Sequence, residues 1–365
     1  MNVRILVVDD SAVVRRLVSD VLNAESDLEV VATAPTGTVG LTKLERFEPD
    51  VVVLDVEMPG MSGLEVLSEI RRRDGKIPII MFSSLTERAA STTLEALSRG
   101  ATAYAAKPSG TRSLEEGLEK VREALVPVVR AVCGQDVRPA APVPKRAPRP
   151  IVRSGNQPAV LAIGCSTGGP NALVEVIGRF PKNLPVPIVI VQHMPPLFTK
   201  ILADRLTANS NVTVHEAVHG DVLKPGEAWI APGDYHMQVV REAACVRVML
   251  DQSPPENSCR PAVDVLFRSV AAVYGSSIVA AVLTGMGYDG LRGCEVIGAA
   301  GGYIAAQDEA TSVVWGMPGA IVQAGLADAV LPLSDIGDHL VGRVLHGGTK
   351  NDYQGGTRPW LTTAN

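Results

Sequence analysis

The chain has 365 residues, of which 46% are hydrophobic and 20% charged, and its formal net charge is −5 at pH 7. This length exceeds an ordinary single domain and predicts two domains with separate cores. The acidic balance, without a basic block in either folded half, argues against nucleic acid as the main partner. The five cysteines lack metal-binding spacing, and two aspartates interrupt the first apolar run, so we expect free thiols in a cytoplasmic protein without membrane insertion.

Strands and helices alternate through the first third of the chain, residues 1–125. A strand that is apolar apart from Arg4 is predicted at 3–8, and the residues after it have helical periodicity. The later patterns predict a helix near 39–47, a strand at 51–54, a helix at 64–70, a strand at 77–82, a helix at 89–97, a strand at 103–106 and a helix at 114–125. Five βα units of this kind predict a flavodoxin-like, doubly wound parallel sheet.

Polar side chains follow these strands at the carboxyl edge of the sheet, where ligands bind in this architecture. Asp9 and Asp10 follow the first strand and Asp55 follows the third, and three carboxylates this close predict a site for a hard cation such as Mg²⁺. Ser83 closes the fourth strand and Lys107 the fifth. Each feature alone has a simpler interpretation as a helix cap or a solvated side chain. Together they favour a site that accepts and senses a phosphoryl group.

Residues 1–125 resemble the receiver domain of bacterial two-component response regulators. The resemblance rests on Val-Val-Asp-Asp-Ser, Leu-Asp-Val-Glu-Met-Pro-Gly-Met-Ser-Gly-Leu, Ser-Ser, and a tyrosine three residues ahead of Lys-Pro. It leaves open which of two adjacent serines contacts the phosphoryl group. The site residues that it implies are a phosphoacceptor, Asp55; Mg²⁺ ligands, Asp9, Asp10 and Asp55; and phosphoryl sensors, Lys107 with Ser83 or Ser84.

In residues 126–157 the alternation stops, and repeated prolines interrupt a stretch that is rich in Ala, Val and Arg and has little apolar surface to bury. This composition predicts an extended, semi-rigid linker between two domains. Its arginines and lysines could dock an acidic partner, but charges that keep a linker soluble are the simpler interpretation.

The second half, residues 158–346, alternates again, and a polar tail is expected at 347–365. The patterns predict a strand and helix on either side of a glycine-rich turn, a strand at 187–191, a helix at 197–206, short strands near 212, 228–230, 237–240 and 246–250, a helix at 262–274, a strand at 278–283 and a helix at 291–300. They predict a second doubly wound α/β domain with a β-rich insertion.

The glycine-rich turn, Gly-Cys-Ser-Thr-Gly-Gly, places Ser166 between a strand and a helix, where free N–H groups could hold a developing oxyanion. The five-residue pattern Gly-x-Ser-x-Gly is met, but a phosphate-binding turn would explain it equally well. A serine nucleophile needs a base, and the base needs an orienting carboxylate. His193 and Asp289 follow other strands of the same predicted sheet, whereas a helix cap would also explain Asp289. His236 is the rival base.

Residues 158–346 resemble the catalytic domain of chemotaxis protein-glutamate methylesterases. The matching motifs are Ile-Gly-Cys-Ser-Thr-Gly-Gly-Pro, Gln-His-Met-Pro, Ala-Pro-Gly-Asp-Tyr-His-Met, Arg-Pro-Ala-Val-Asp-Val-Leu-Phe and Leu-Thr-Gly-Met-Gly-Tyr-Asp-Gly. No cofactor is expected in this domain. The roles that the resemblance implies are the nucleophile, Ser166; the general base, His193; its orienting partner, Asp289; a backbone oxyanion donor, Met286; and a further oxyanion or positioning group, Thr167.

The resemblance implies a phosphorylation-activated serine hydrolase that demethylates glutamate γ-methyl esters on methyl-accepting chemotaxis receptors and deamidates glutamines at the same site. The phosphodonor is then a chemotaxis histidine kinase, and we expect a monomer in which the unphosphorylated receiver hinders protein substrates. A non-catalytic two-domain phospho-signalling adaptor is the main alternative. A nucleotide-binding enzyme is disfavoured because no P-loop lysine or acidic ribose partner has the required spacing.

Overall fold

The computed structural model describes residues 2–108, 110, 113–134 and 157–347. The elements of the first domain are β1 (Val3–Val8), α1 (Ala12–Asn23), β2 (Leu28–Ala34), α2 (Gly37–Phe47), β3 (Val51–Asp55), α3 (Gly63–Arg73), β4 (Ile79–Ser83), α4 (Glu87–Ser98), β5 (Ala103–Ala106) and α5 (Leu114–Val132). The strands pair in parallel in the order β2-β1-β3-β4-β5. The predicted doubly wound sheet is confirmed, and β2 is the strand that the sequence patterns did not place.

Helix α5 extends beyond its predicted end at residue 125. Pro127 lies inside it, although proline lacks the N–H that an interior turn needs. The helix continues because Val126 and Val129 are buried against the first domain's core. Residues 135–156 of the predicted linker and 348–365 of the predicted tail lie outside the described residues.

The elements of the second domain are β6 (Val160–Cys165), α6 (Gly169–Gly178), β7 (Ile188–Gln192), α7 (Phe198–Ala208), β8 (Thr213–Glu216), β9 (Glu227–Ile230), β10 (His236–Glu242), β11 (Cys245–Asp251), α8 (Val263–Tyr274), β12 (Ile278–Val282), α9 (Leu291–Ala299), β13 (Tyr303–Gln307), α10 (Met317–Gln323), β14 (Ala329–Leu331) and α11 (Leu333–His346). Seven strands form a parallel sheet in the order β14-β13-β12-β6-β7-β9-β8. Strands β10 and β11 form a separate antiparallel hairpin. Two of the predicted short strands, β8 and β9, therefore extend the main sheet, and the elements after α9 had not been predicted.

Strands β12, β6 and β7 are neighbours at the centre of this sheet, and every residue in them is buried. Continuous apolar strands suit a sheet that is covered by helices on both faces. Because the three strands run in parallel, the residues that follow them meet at one carboxyl edge. No helix within the described ranges is long and apolar enough to cross a membrane.

The two domains pack against each other through α4, α6 and α7. Residues of both domains belong to one continuous cluster of buried apolar side chains. At its margin, Arg205 Nη1 donates to the carbonyl oxygen of Leu94 at 2.6 Å, and Asn171 Nδ2 donates to that of Leu97 at 2.7 Å. These carbonyls lie near the C-terminal end of α4, where the partial negative charge of the helix favours a cation such as Arg205.

Candidate active site

Ser166 lies immediately after β6, at the carboxyl edge of the main sheet. Its backbone N–H donates to the carbonyl oxygen of Thr284 at 3.0 Å. Its carbonyl oxygen accepts from the N–H of Gly169 at 2.8 Å and from Gln192 Nε2 at 2.9 Å. These backbone contacts to the neighbouring strand ends hold the serine in place while leaving its side chain in the cleft.

Two glycines permit the tight packing around this turn. Gly168 caps the start of α6 with a φ of 84°, a left-handed conformation that glycine adopts without steric cost. Gly285 approaches so closely that a Cβ there would lie 2.9 Å from the Cβ of Ser166 and 2.4 Å from the Sδ of Met317. The segment that follows β12 can therefore pass directly beside Ser166.

His193 follows β7, and its backbone N–H donates to the carbonyl oxygen of Cys165 at 3.2 Å. Its ring Nε2 lies 2.8 Å from Asp289 Oδ2, so Nε2 donates to that carboxylate. The ring nitrogen that does not contact Asp289 is Nδ1. Both side chains are shielded from solvent, with 12% of His193 and 2% of Asp289 exposed.

Asp289 lies in the turn between β12 and α9, where its carboxylate also meets the N-terminus of α8. Oδ2 accepts from the N–H of Val263 at 2.6 Å, and Oδ1 accepts from the N–H groups of Asp264 and Gly290 at 3.1 and 3.0 Å. Burial alone would raise the pKa of Asp289, but the hydrogen bonds from His193 and the backbone lower it. The group is therefore a fixed anion behind the histidine.

The charge on His193 follows from the same contacts. Burial alone would lower the pKa of His193, but the neighbouring Cys259 thiol and the Asp289 carboxylate raise it to about 10. These contacts therefore favour the positively charged form of the imidazole, in which both ring nitrogens are protonated.

Met286 and Thr167 both line the cleft beside Ser166. Among the described residues, the backbone N–H groups of these two residues donate to no other protein group. An oxyanion hole needs such donors on the residue after the nucleophile and on a neighbouring loop. The role of these two N–H groups as oxyanion donors stays a prediction.

His236, the rival base, lies on β10 and is buried. Its Nε2 contacts the carbonyl oxygen of Pro254 at 3.2 Å. It is not among the described residues that line the cleft with Ser166. The structure therefore brings together Ser166, His193 and Asp289, and it places His236 elsewhere.

Two residues of this site were missed in the sequence, and both precede α8. Asn257 Nδ2 donates to Asp289 Oδ1 and to Asp264 Oδ2, at 2.9 Å in each case. Cys259 Sγ lies 3.5 Å from His193 Nδ1. The loop that carries them has no periodicity, and the only available signal was its position directly before the Arg-Pro-Ala-Val-Asp motif.

The cleft over Ser166 has a volume of about 920 Å³ and lies between the two domains. Its catalytic-domain wall includes Ser166, His193 and Met286. Its opposite wall includes Tyr104 of β5 and Pro127 of α5. The first domain therefore covers the face that carries the nucleophile and leaves a cavity of small-molecule size beneath it.

A second cluster lies at the carboxyl edge of the first domain. Lys107 Nζ lies 2.8 Å from both Asp9 Oδ2 and Asp55 Oδ1. Carboxylate oxygens of Asp9, Asp10 and Asp55 lie within 4.8 Å of one another, an oxygen-rich set that fits a hard divalent cation. Burial raises the pKa of Asp55, and Lys107 opposes that effect. The residues expected at this edge are therefore gathered together.

Ser83 is fully buried at the end of β4. Its Oγ lies 3.2 Å from the carbonyl oxygen of Ser84 and 3.4 Å from that of Ala89. The hydroxyl thus contacts the backbone directly after β4 and the backbone of the first turn of α4. Which of the two serines contacts a phosphoryl group stays a prediction.

Comparisons with known proteins agree with both halves of this arrangement. The CheB methylesterase family model matches residues 161–340, and the response regulator receiver domain model matches residues 5–119. The chain is similar to the protein-glutamate methylesterase/protein-glutamine glutaminase of Trichodesmium erythraeum, at 47% identity over 93% of this chain and 99% of that protein. It is also similar to the protein of the same name from Nocardioides sp., at 49% identity over 94% of this chain and 96% of that protein.

The second domain also resembles a solved structure, the CheB methylesterase catalytic domain of Thermotoga maritima. The TM-score is 0.50 at 45% sequence identity, over 51% of this chain and 98% of that one. The identity to full-length relatives is far above what the fold alone would require. The chain therefore belongs to the CheB methylesterase family, with a response regulator receiver domain ahead of its catalytic domain.

Proposed function

We propose that the chain is a phosphorylation-activated serine hydrolase that removes γ-methyl esters from glutamate residues of methyl-accepting chemotaxis receptors. Deamidation of glutamines is a second activity of the same site. The observation that carries the proposal is the meeting of Ser166, His193 and Asp289 after three adjacent strands, with the histidine and aspartate 2.8 Å apart. Full-length relatives named for both activities support it.

The first half of the reaction transfers the glutamyl group to the enzyme. Because Nε2 of His193 faces Asp289, the base is Nδ1, which takes the proton from Ser166 Oγ as that oxygen attacks the ester carbonyl. The backbone N–H groups of Met286 and Thr167 hold the oxyanion of the tetrahedral intermediate. Collapse of the intermediate expels methanol, which takes the proton from the imidazolium, and leaves a glutamyl ester on Ser166.

The second half restores the serine. Nδ1 of His193 takes a proton from water, the resulting hydroxide attacks the acyl-enzyme, and the glutamate carboxylate leaves as Ser166 regains its proton. A glutamine side chain follows the same steps with ammonia as the leaving group. Asp289 keeps the imidazole oriented throughout and stabilises its protonated form.

In the receiver, Asp55 accepts a phosphoryl group from a chemotaxis histidine kinase. Asp9, Asp10 and Asp55 hold Mg²⁺, which neutralises charge on the phosphoryl oxygens when it is bound. Lys107, which pairs with Asp55 in the structure, contacts the phosphoryl group together with Ser83 or Ser84.

Phosphorylation acts on access to Ser166. The resting receiver lies over the cleft, and a protein-sized substrate is too large for a cavity of about 920 Å³. Rearrangement around Lys107 and Tyr104 weakens the domain contact and shifts the population towards an open form. A change of about 1.4 kcal/mol alters the ratio of open to closed forms tenfold.

A non-catalytic adaptor is the competing function. An adaptor would need the receiver domain. It would not need the imidazole of His193 and the buried carboxylate of Asp289 near Ser166. Methanol release from methylated receptor fragments separates the two functions. The wild-type chain, treated with a small phosphodonor such as acetyl phosphate, should release methanol, and Ser166→Ala should release none above background. Equal release by both proteins would refute the hydrolase.

A further inference from the structure

Cys259 contacts Nδ1 of His193, the ring nitrogen that acts as the base in the proposed esterase reaction. Its Sγ lies 3.5 Å from Nδ1, while Nε2 is engaged by Asp289. Within the described ranges, no hydrogen bond joins Ser166 Oγ to either ring nitrogen. In the resting state, therefore, a thiol rather than the serine hydroxyl contacts the base.

The position of Cys259 differs from that of the other four cysteines. Cys165 and Cys294 are buried, and burial raises the pKa of both thiols. Cys133 lies beyond the end of α5, and Cys245 lies on the β10–β11 hairpin, where its Sγ contacts the carbonyl oxygen of residue 242. Among the five, Cys259 combines partial exposure, a place in the wall of the cleft and contact with an imidazole.

We propose that Cys259 is a positioning residue of the esterase, which holds Nδ1 of His193 in the resting site and releases it to Ser166 when substrate enters. The inference rests on the proposed function, because it assigns a role towards the base of that reaction. In the resting site the sulfur contacts Nδ1 and, together with Asp289, raises the pKa of His193. Displacement of the sulfur removes one of these two influences, so Nδ1 loses its proton to solvent more readily and becomes available to the Ser166 hydroxyl.

The contacts around His193 explain why the pair forms and why it can be broken. Two groups face the ring, the Asp289 carboxylate from the turn before α9 and the Cys259 thiol from the loop before α8. Asp264 lies behind Asp289, joined to it through Asn257. Two acidic partners favour the protonated ring, whereas sulfur at 3.5 Å is a weak hydrogen-bonding partner. Entry of a substrate into the cleft can therefore displace the thiol without breaking the contact to Asp289.

The dependence of kcat/KM on pH tests this role. The full-length wild type, Cys259→Ala, Cys259→Ser and the control Cys245→Ala are compared on a small soluble methyl ester. The Cys259 contact raises the pKa of His193, so without it the imidazole loses its proton more readily and the acidic limb should move to lower pH in both Cys259 variants. A displacement of one pH unit makes kcat/KM about tenfold higher at a fixed pH on that limb. Cys245→Ala should follow the wild type.

An NMR titration of the imidazole ring protons examines the contact directly. The titration midpoint of His193, assigned by comparison with His193→Gln, should lie at lower pH in Cys259→Ala than in the wild type. The inference is refuted if neither Cys259 variant moves the acidic limb while both keep the wild-type melting temperature. It is also refuted if Cys245→Ala moves the limb equally. If Cys259→Ala is poorly folded, the nearly isosteric Cys259→Ser decides the result.

The same measurements separate this inference from the proposed function. If the Ser166→Ala variant were active, the proposed function would be refuted, regardless of the results for the Cys259 variants. An inactive Ser166→Ala variant, together with an unmoved acidic limb in the Cys259 variants, would retain the esterase and refute only the role of Cys259.

Discussion

The ring of Tyr104 in the receiver stacks on the ring of Phe198 in the catalytic domain, with centroids 5.2 Å apart and planes 12° from parallel. Tyr104 lies on β5 three residues before Lys107, which pairs with Asp55. Phe198 begins α7, close along the chain to His193. A single aromatic contact therefore joins the strand directly before Lys107 to the helix that follows His193.

Loss of this stack should raise the activity of the resting protein. Phe198→Leu keeps an apolar side chain in the core but removes the ring, and a stacked pair contributes about 1 kcal/mol beyond its burial. The ratio of open to closed forms should rise about fivefold, and phosphorylation should stimulate the variant correspondingly less. Methanol release from receptor fragments, with and without a phosphodonor, measures both quantities. Arg241→Ala on the β10–β11 hairpin is the control and should respond like the wild type.

The size of the cleft predicts that regulation depends on the substrate. A small methyl ester fits a cavity of about 920 Å³, whereas a receptor fragment does not. Phosphorylation should therefore accelerate receptor demethylation about tenfold or more and change small-ester hydrolysis less than about twofold. Paired assays on one preparation provide the measurement. Equal stimulation of both substrates would mean that phosphorylation changes the chemistry rather than access.

Ser166, His193 and Asp289, the proposed catalytic side chains, should behave as one unit. Ser166→Ala and His193→Ala should each lower kcat about 10⁶-fold, and Asp289→Asn should cost about 10⁴-fold because the nucleophile and base remain. His236→Gln should retain activity, since His236 contacts Pro254 outside the cleft. Initial rates on a small ester give all four values. If His236→Gln were inactive and His193→Ala active, the base would be wrongly assigned.

Asn257 should matter for both activity and stability. Its amide lies between the carboxylates of Asp264 and Asp289, and burial together with Asp289 raises the pKa of Asp264 to about 6. Asn257→Ala removes hydrogen bonds to charged groups, each worth about 1.5–3 kcal/mol, so kcat should fall about 10- to 100-fold. The melting temperature should fall as well. Asn209→Ala, at the exposed end of α7, is a control that should change neither kcat nor the melting temperature measurably.

The stability of the protein should decrease at high pH in a way that depends on His193. The pKa of His193 is raised from 6.5 to about 10 in the folded state. Its contribution to the free energy of unfolding is therefore complete below about pH 6.5 and is lost as the pH rises through about 10. Urea unfolding at several pH values should show the advantage of the wild type over His193→Gln shrinking across this window. Ser166→Ala keeps the titrating pair and should show the pH dependence of the wild type.

The sequence predicted those parts of the site that directly follow buried strands. Continuous apolar runs define β6, β7 and β12, and the parallel order of such strands places Ser166, His193 and Asp289 at one edge. The same reasoning predicted that the carboxylates of Asp9, Asp10 and Asp55 lie close together in the receiver domain. The family resemblance supplied roles that periodicity cannot give, such as those of Met286 and Thr167.

Other features depend on packing that no local pattern records. Asn257 and Cys259 reach the site from an irregular loop whose position is set by α8. Pro127 predicted the end of a helix, but burial of the flanking valines outweighed its local cost. The contact between Tyr104 and Phe198 exists only because the domains dock, and the sequence patterns described each domain separately.

The hydrogen bonds of Arg205 and Asn171 to α4 use main-chain carbonyl oxygens of the receiver. Such acceptors are present whatever side chains α4 carries, provided that the helix ends at the same place. Substitutions at Leu94 or Leu97 that preserve the helix therefore keep both bonds, and no compensating change at Arg205 is needed. We therefore expect little covariation between Arg205 or Asn171 and the side chains of α4. A receiver domain transplanted from a relative should still form these two hydrogen bonds.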